Sequence, residues 1–147
     1  MLLQHHDRLN LESSIEASFW AICLVAFYDM FRKSHLLPMS PTSFDPRKQL
    51  TKADFKIFYW GVLINIRWSK TIQFRERVVE ILLPRIPCSP LCPTAAIVNA
   101  LRFTASGSST CSQAFNWSDD RQLVQVFSYG SFVSFLRTHI TSLSFDP

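Results

Sequence analysis

The chain predicts an α+β domain, helices packed around a small antiparallel sheet, and three stretches carry that prediction. Between Trp60 and Pro84, apolar residues recur at every second position on both sides of a polar, basic connection. From Ser14 to Lys33 they recur at helical spacing, and helical spacing returns from Pro93 onward. Period-two runs of β-branched and aromatic residues mark strands, and three-to-four spacing marks helices. At 147 residues the chain is one domain at most, long enough to bury a sizeable core. A hydrophobic fraction of 48% with 14% aromatic residues excludes an intrinsically disordered chain. Only three glycines occur, which disfavours a glycine-rich phosphate loop. A net charge of +4 permits a nucleic acid or an anionic membrane surface without demanding either.

Taken in order, Ser13 with Glu16 matches a Ser-x-x-Glu capping box ahead of the first helix, expected over about Ser14 to Lys33. Ile15, Phe19, Ile22 and Ala26 form one stripe, and Trp20, Cys23, Phe27 and Phe31 fill most of the rest. A helix apolar nearly all round belongs in a core, so Trp20 and Phe27 are expected to be buried. Asp29 is the exception: it must reach solvent or a partner such as Arg32 or Lys33, because an unpaired buried carboxylate costs several kcal/mol. Prolines at 38, 41 and 46 among serines make a loop. In the first arm of the hairpin, Val62, Ile64, Ile66 and Trp68 alternate with Leu63, Asn65, Arg67 and Ser69. In the second, Val79, Ile81 and Leu83 alternate with Val78, Glu80 and Leu82. The connection, about Lys70 to Arg75, holds no Asn-Gly or Asp-Gly and is longer than a two-residue turn. Its flanks carry Arg67, Lys70, Arg75 and Arg77 against one acid, Glu76, which suits a polyanion and equally an ordinary solvated turn.

Pro84, Pro87, Pro90 and Pro93 fall every third residue. That spacing fits a polyproline ligand or a stiff crossover from sheet to helix. Pro93 sits comfortably at the first helical position, opening a helix with Ala96, Ile97, Ala100 and Leu101 on its apolar face. Thr104 to Ser112 reads as a loop, and Ser131 to His139 as a last helix with Phe132, Phe135 and Leu136 inward. Cys88 and Cys92 are four apart, but no second Cys or His pair completes a tetrahedral zinc set, so no metal is expected and the four cysteines are read as free thiols. His5 and His6 beside Asp7 lack further ligands. The apolar run Phe19 to Phe27 falls well short of the ~20 residues a membrane span requires, so no membrane is expected.

RWSKTIQFRERV followed by PRIPCSPLCP, with FRKSHLLP upstream, closely resembles tyrosine recombinases (the phage-integrase family) of eukaryotic Crypton- or DIRS-like mobile elements. The resemblance runs from about Leu11 onward. It implies that LTKADFKIFYWG leads into a first strand at Phe55 to Tyr59, for three antiparallel strands in all; Asp54, at the family's usual acidic position, reads as a structural turn residue in preference to a catalyst. It also implies that Lys70, at the hairpin tip, is a general acid at the DNA leaving group. Arg32, ending the first helix, would grip the scissile phosphate through two non-bridging oxygens, a task that suits a planar, permanently charged guanidinium. Arg32 and Lys33 could equally do no more than offset the negative helix terminus. Lys33, Arg67, Arg75 and Arg77 are the candidate DNA-phosphate contacts.

In that family a stretch like the closing SFDP leads into a His-x-x-Arg box and a tyrosine nucleophile, whereas this sequence stops at Pro147. Tyr28, Tyr59 and Tyr129 match scaffold positions, and no arginine stands three positions after His139. The expectation is therefore a partial recombinase catalytic domain over residues 1–147, without the amino-terminal clamp and carboxy-terminal parts. It would bind duplex DNA weakly through phosphates, use no cofactor or metal, act in the nucleus and be inactive alone. The rival expectation is a non-catalytic interaction module using the proline crossover and exposed apolar surface, through which it would also self-associate.

Overall fold

The computed structural model describes residues 3, 6–29, 36–67, 78–103, 111–119, 121 and 123–142. Helix α1, Ser14–Asp29, is the element the others pack against. Phe19, Trp20, Ile22, Leu24 and Val25 are all buried along it. Burying side chains of this size contributes about 1.5–3 kcal/mol each. The helix starts where Ser13 and Glu16 predict, but the Glu16 carboxylate reaches back to the Asn10 backbone N–H. Phe27 corrects the sequence reading, since it is 57% exposed in the last turn. It meets the Tyr28 ring edge-to-face instead of entering the core. Residues 30–35, with Arg32 and Lys33 among them, lie outside the described residues.

The expected sheet is present. Strands β1 (Phe55–Phe58), β2 (Gly61–Ile66) and β3 (Val79–Pro84) form an antiparallel meander in that order. Registers Phe55↔Ile64 and Ile64↔Ile81 put one apolar row on one face, and Ile57↔Val62 and Val62↔Leu83 put another beside it. Val62, Ile64, Ile66 and Leu83 are buried, as their alternation predicts, whereas Val79 at the open end of β3 stays exposed. Gly61 lies where a side chain has no room, against the Leu83 carbonyl of the neighbouring strand.

Past the proline crossover, helix α2 runs over Pro93–Arg102 with Pro93 in its first turn. Its cap is Cys92, whose Sγ accepts the N–H of Ala95 at 3.4 Å and that of Ile86 at 3.2 Å. The Thr94 hydroxyl donates to the Leu83 carbonyl, tying the start of the helix to β3. Ala96, Ile97 and Ala100 face α1 and the sheet.

The hairpin β4 (Asn116–Ser118) and β5 (Val124–Val126) forms a separate two-stranded sheet that the sequence reading did not contain. Its turn is closed by the Asp119 carboxylate, which accepts the N–H groups of Arg121 and Leu123. An acidic side chain here does the work usually left to glycine. The buried Ser18 hydroxyl of α1 donates to the Asn116 carbonyl at 2.9 Å, which fixes this hairpin on the helix. Just before it, residues 112–114 pair with Leu50, Thr51 and Lys52 and join the back of the chain to the approach to β1. The buried Gln113 amide donates to the Phe127 carbonyl, so a polar side chain closes the core at this point.

Helix α3, Tyr129–Ser142, completes the fold. Ser128 and Ser131 cap its start reciprocally, each side-chain oxygen accepting the other's backbone N–H. Phe132 and Phe135 pack against Phe19, as their spacing predicts, and His139 stacks on the same ring. No disulfide joins the four cysteines. Cys23, on α1, has its thiol pushed up from 9.0 to about 12 by burial.

Candidate nucleic-acid interface

The sequence singles out basic residues at 32 and 33 and on the link from β2 to β3. Of these, Arg67 is described. Lys70, Arg75 and Arg77 fall in the connecting residues 68–77, and Arg32 and Lys33 in 30–35, all outside the described residues.

Arg67 continues β2 one residue past its end, and its side chain turns back toward the approach to β1. Its Nε donates to Asp54 Oδ1 at 2.6 Å, its Nη2 lies at the same distance from that oxygen, and Nη2 also donates to the Thr51 hydroxyl at 3.0 Å. The other carboxylate oxygen of Asp54 accepts both the backbone N–H of Thr51 and its hydroxyl, at 2.8 and 2.9 Å. Asp54 therefore ends a short 3-10 turn, Lys52–Asp54, and among the described residues its carboxylate is held by Thr51 and Arg67. The reading of Asp54 as a structural turn residue matches this geometry. Its side chain is 4% exposed and that of Arg67 is 46% exposed, so the pair joins a buried anion to a half-solvated cation. A buried carboxylate needs such compensation, because desolvation otherwise disfavours its charged form.

The register explains why these two residues meet. Phe55 opposes Ile64, so Asp54 lies across from Asn65, and Arg67 reaches it from two residues further along. No pattern within β2 reveals this pairing. It needs the alignment of β1 on β2, a separation of thirteen residues in sequence.

Arg67 also borders a shallow cleft lined with Arg47, Lys48, Gln49 and Asn65. Its volume is about 10 Å³, room for about one water. Arg47 grips Asp45 through Nε and Nη2 at 3.1 and 3.3 Å, and this side-chain hydrogen bond holds the Asp45 carboxyl below the usual range. Two of the cations on the cleft are thus already matched by acids, which makes it a poor anion trap.

Two tyrosines have clear placements. The Tyr28 hydroxyl donates to the Leu91 carbonyl, a packing role. Tyr59 is 87% exposed in the β1–β2 turn, at the opposite end of β2 from Arg67. At ~3.3 Å per residue, that strand separates the two by about 20 Å. Among the described residues, no group of three or more His, Cys, Asp or Glu gathers to hold a metal, and no helix is long and apolar enough to cross a membrane. Comparison of the chain with protein-family models, with curated proteins and with solved structures finds no match.

Proposed function

We propose that this chain is a DNA-binding portion of a tyrosine-recombinase-type catalytic domain that acts in the nucleus during DNA integration or transposition and does not cut DNA by itself. The observation that carries the reading is the β2–β3 pairing, with Ile66 opposite Val79. It makes the sequence RWSKTIQFRERV the link between two adjacent antiparallel strands, the context in which the family resemblance puts its lysine. Lys33, Arg75 and Arg77 then contact DNA phosphates, Arg32 clamps the scissile phosphate, and Lys70 protonates the departing oxygen. Strand cleavage additionally needs a hydroxyl that attacks phosphorus and further cations that stabilise the transferring phosphoryl group. Tyr28 and Tyr59 are poorly situated for that attack, and no arginine stands three positions after His139.

Incubation with a nicked suicide duplex tests the reading. The chain alone forms no covalent adduct that survives a denaturing gel. Mixed with a polypeptide of the family bearing the His-x-x-Arg box and tyrosine, it supports adduct formation that Arg32→Ala abolishes and Lys70→Ala slows. An adduct on Tyr28, Tyr59 or Tyr129 of the lone chain would contradict it.

A second reading rests on the outer face of the sheet and its turn. There Phe58 and Leu82 are exposed, and Trp60 stacks flat on Phe58 at 4.7 Å. Apolar surface of this kind fits a protein-interaction module or self-association. Concentration-dependent assembly in sedimentation, abolished by Trp60→Ser with Leu82→Ser, and no binding to DNA would favour it.

A further inference from the structure

We propose that Arg67, clasped by Asp54 and Thr51, is a positioning residue that sets the direction in which β2 delivers the basic connection to DNA, and that it does not itself hold a phosphate. The inference rests on the DNA-binding reading and assigns Arg67 a different task from the other basic residues.

Three observations carry it. The guanidinium directs two of its nitrogens at one carboxylate oxygen, and one of these also serves the Thr51 hydroxyl. A planar fork spent in this way is fixed in orientation, and its charge is offset at contact distance. Next, Asp54 is almost wholly buried and, among the described residues, Arg67 is the cation that contacts it, so exchanging Arg67 for a phosphate would strand a buried anion. Last, the clasp joins the residue just before β1 to the residue just after β2. Those are the points at which the chain enters the sheet and leaves it for residues 68–77. Because β2 is the central strand, a change in its exit is not absorbed by the sheet edge.

Asp54 supplies a test by sign. It is an acid, so by simple electrostatics its removal strengthens binding to a polyanion. Positioning predicts the reverse. Binding to a short fluorescent duplex is measured against salt for wild type, Asp54→Ala, Asp54→Asn, Arg67→Ala and the Asp54→Ala/Arg67→Ala double variant. The expected result is affinity about twofold or more weaker in each variant, since residues acting through one network couple by about 0.5 kcal/mol or more. The salt slope stays at the wild-type value, and the double variant is no worse than either single alanine variant. Thr51→Ser, which keeps the hydroxyl, restores wild-type affinity where Thr51→Val does not. A slope reduced by about 0.9 in Arg67→Ala would mean a lost phosphate contact and overturn the proposal. Tighter binding by Asp54→Ala overturns it as well.

Hydrogen exchange without DNA keeps the clasp testable if wild type does not bind DNA, the outcome that sinks the function reading alone. In Asp54→Asn, amides of Ile66, Arg67 and Val79 exchange faster while those of Val62 and Leu83 keep their rates. Unchanged exchange at the open end of β2 and β3 refutes the positioning role.

Discussion

Replacing Gly61 by alanine probes the β2–β3 pairing on which the candidate interface depends. A Cβ at this position would stand 2.4 Å from the Leu83 carbonyl oxygen and 3.4 Å from Pro84 Cα. Carbon and oxygen approach to about 3.3 Å, so the strands must part by about 0.9 Å. That is close to a fifth of the ~4.8 Å inter-strand spacing. The obstacle is backbone, and the Leu83 oxygen also accepts the Thr94 hydroxyl that anchors α2, so it cannot swing aside freely. Overpacking of this kind costs about 1–3 kcal/mol, with a rigid backbone contact near the upper end. The ordinary gain from replacing glycine, about 0.4–1 kcal/mol through the unfolded chain, offsets part of it. A net loss of about 2 kcal/mol lowers the melting temperature by about 4–8 °C for a chain of this length. Gly130→Ala is the internal control. Its Cβ meets nothing closer than Ser128 Oγ at 3.9 Å, and the site is in the first turn of α3. There the same substitution gains up to about 1 kcal/mol and raises the midpoint. Thermal denaturation followed by circular dichroism reads both. A Gly61→Ala midpoint at or above wild type would refute the close-approach argument.

Three further outcomes follow from burial. Trp20→Ala, at a fully buried position of α1, costs about 3–5 kcal/mol, while Phe27→Ala, largely solvated, costs under about 1 kcal/mol in the same urea titrations. An aromatic disulfide reagent modifies Cys88 and Cys111 in the folded protein and reaches Cys23 and Cys92 only after denaturation; early labelling of Cys23, mapped by mass spectrometry, would contradict its place on α1. Because the folded Cys23 thiol stays protonated to about 12 while the unfolded one ionises from 9.0, its contribution to stability is intact below pH 9 and is lost as pH rises toward 12. Cys23→Ala should flatten that alkaline decline in a melting series.

The sheet was legible because β2 and β3 carry β-branched or aliphatic residues at every second position, with Val62, Ile64, Ile66 and Leu83 on one face. The start of α2 was legible for a different reason, since Pro93 can open a helix but not continue one. Phe27 was misread because α1 is apolar on nearly every side. Periodicity cannot then say which side faces out, and only the neighbours decide. The β4–β5 hairpin escaped because each strand has three residues and its turn is made by Asp119 instead of a glycine. Arg67 shows the limit most clearly. On the flank of a basic stretch, its charge reads as a contact for a polyanion. Its partner Asp54 emerges only from the register that sets Phe55 against Ile64. Asp54 itself was readable as structural, because an acid just before a strand commonly closes a turn.

DNA affinity measured against salt, for wild type and for the Lys70→Ala/Arg75→Ala/Arg77→Ala variant, tests the central claim most directly. Wild type is expected to bind a duplex with Kd of ~10⁻⁴ to 10⁻⁶ M and to weaken linearly on logarithmic axes as salt rises. Each phosphate contact contributes about 0.9 to that slope, so loss of all three cations reduces it by up to about 2.7. No measurable binding by wild type, or a slope that the triple variant leaves unchanged, would contradict the assignment of this basic connection to DNA.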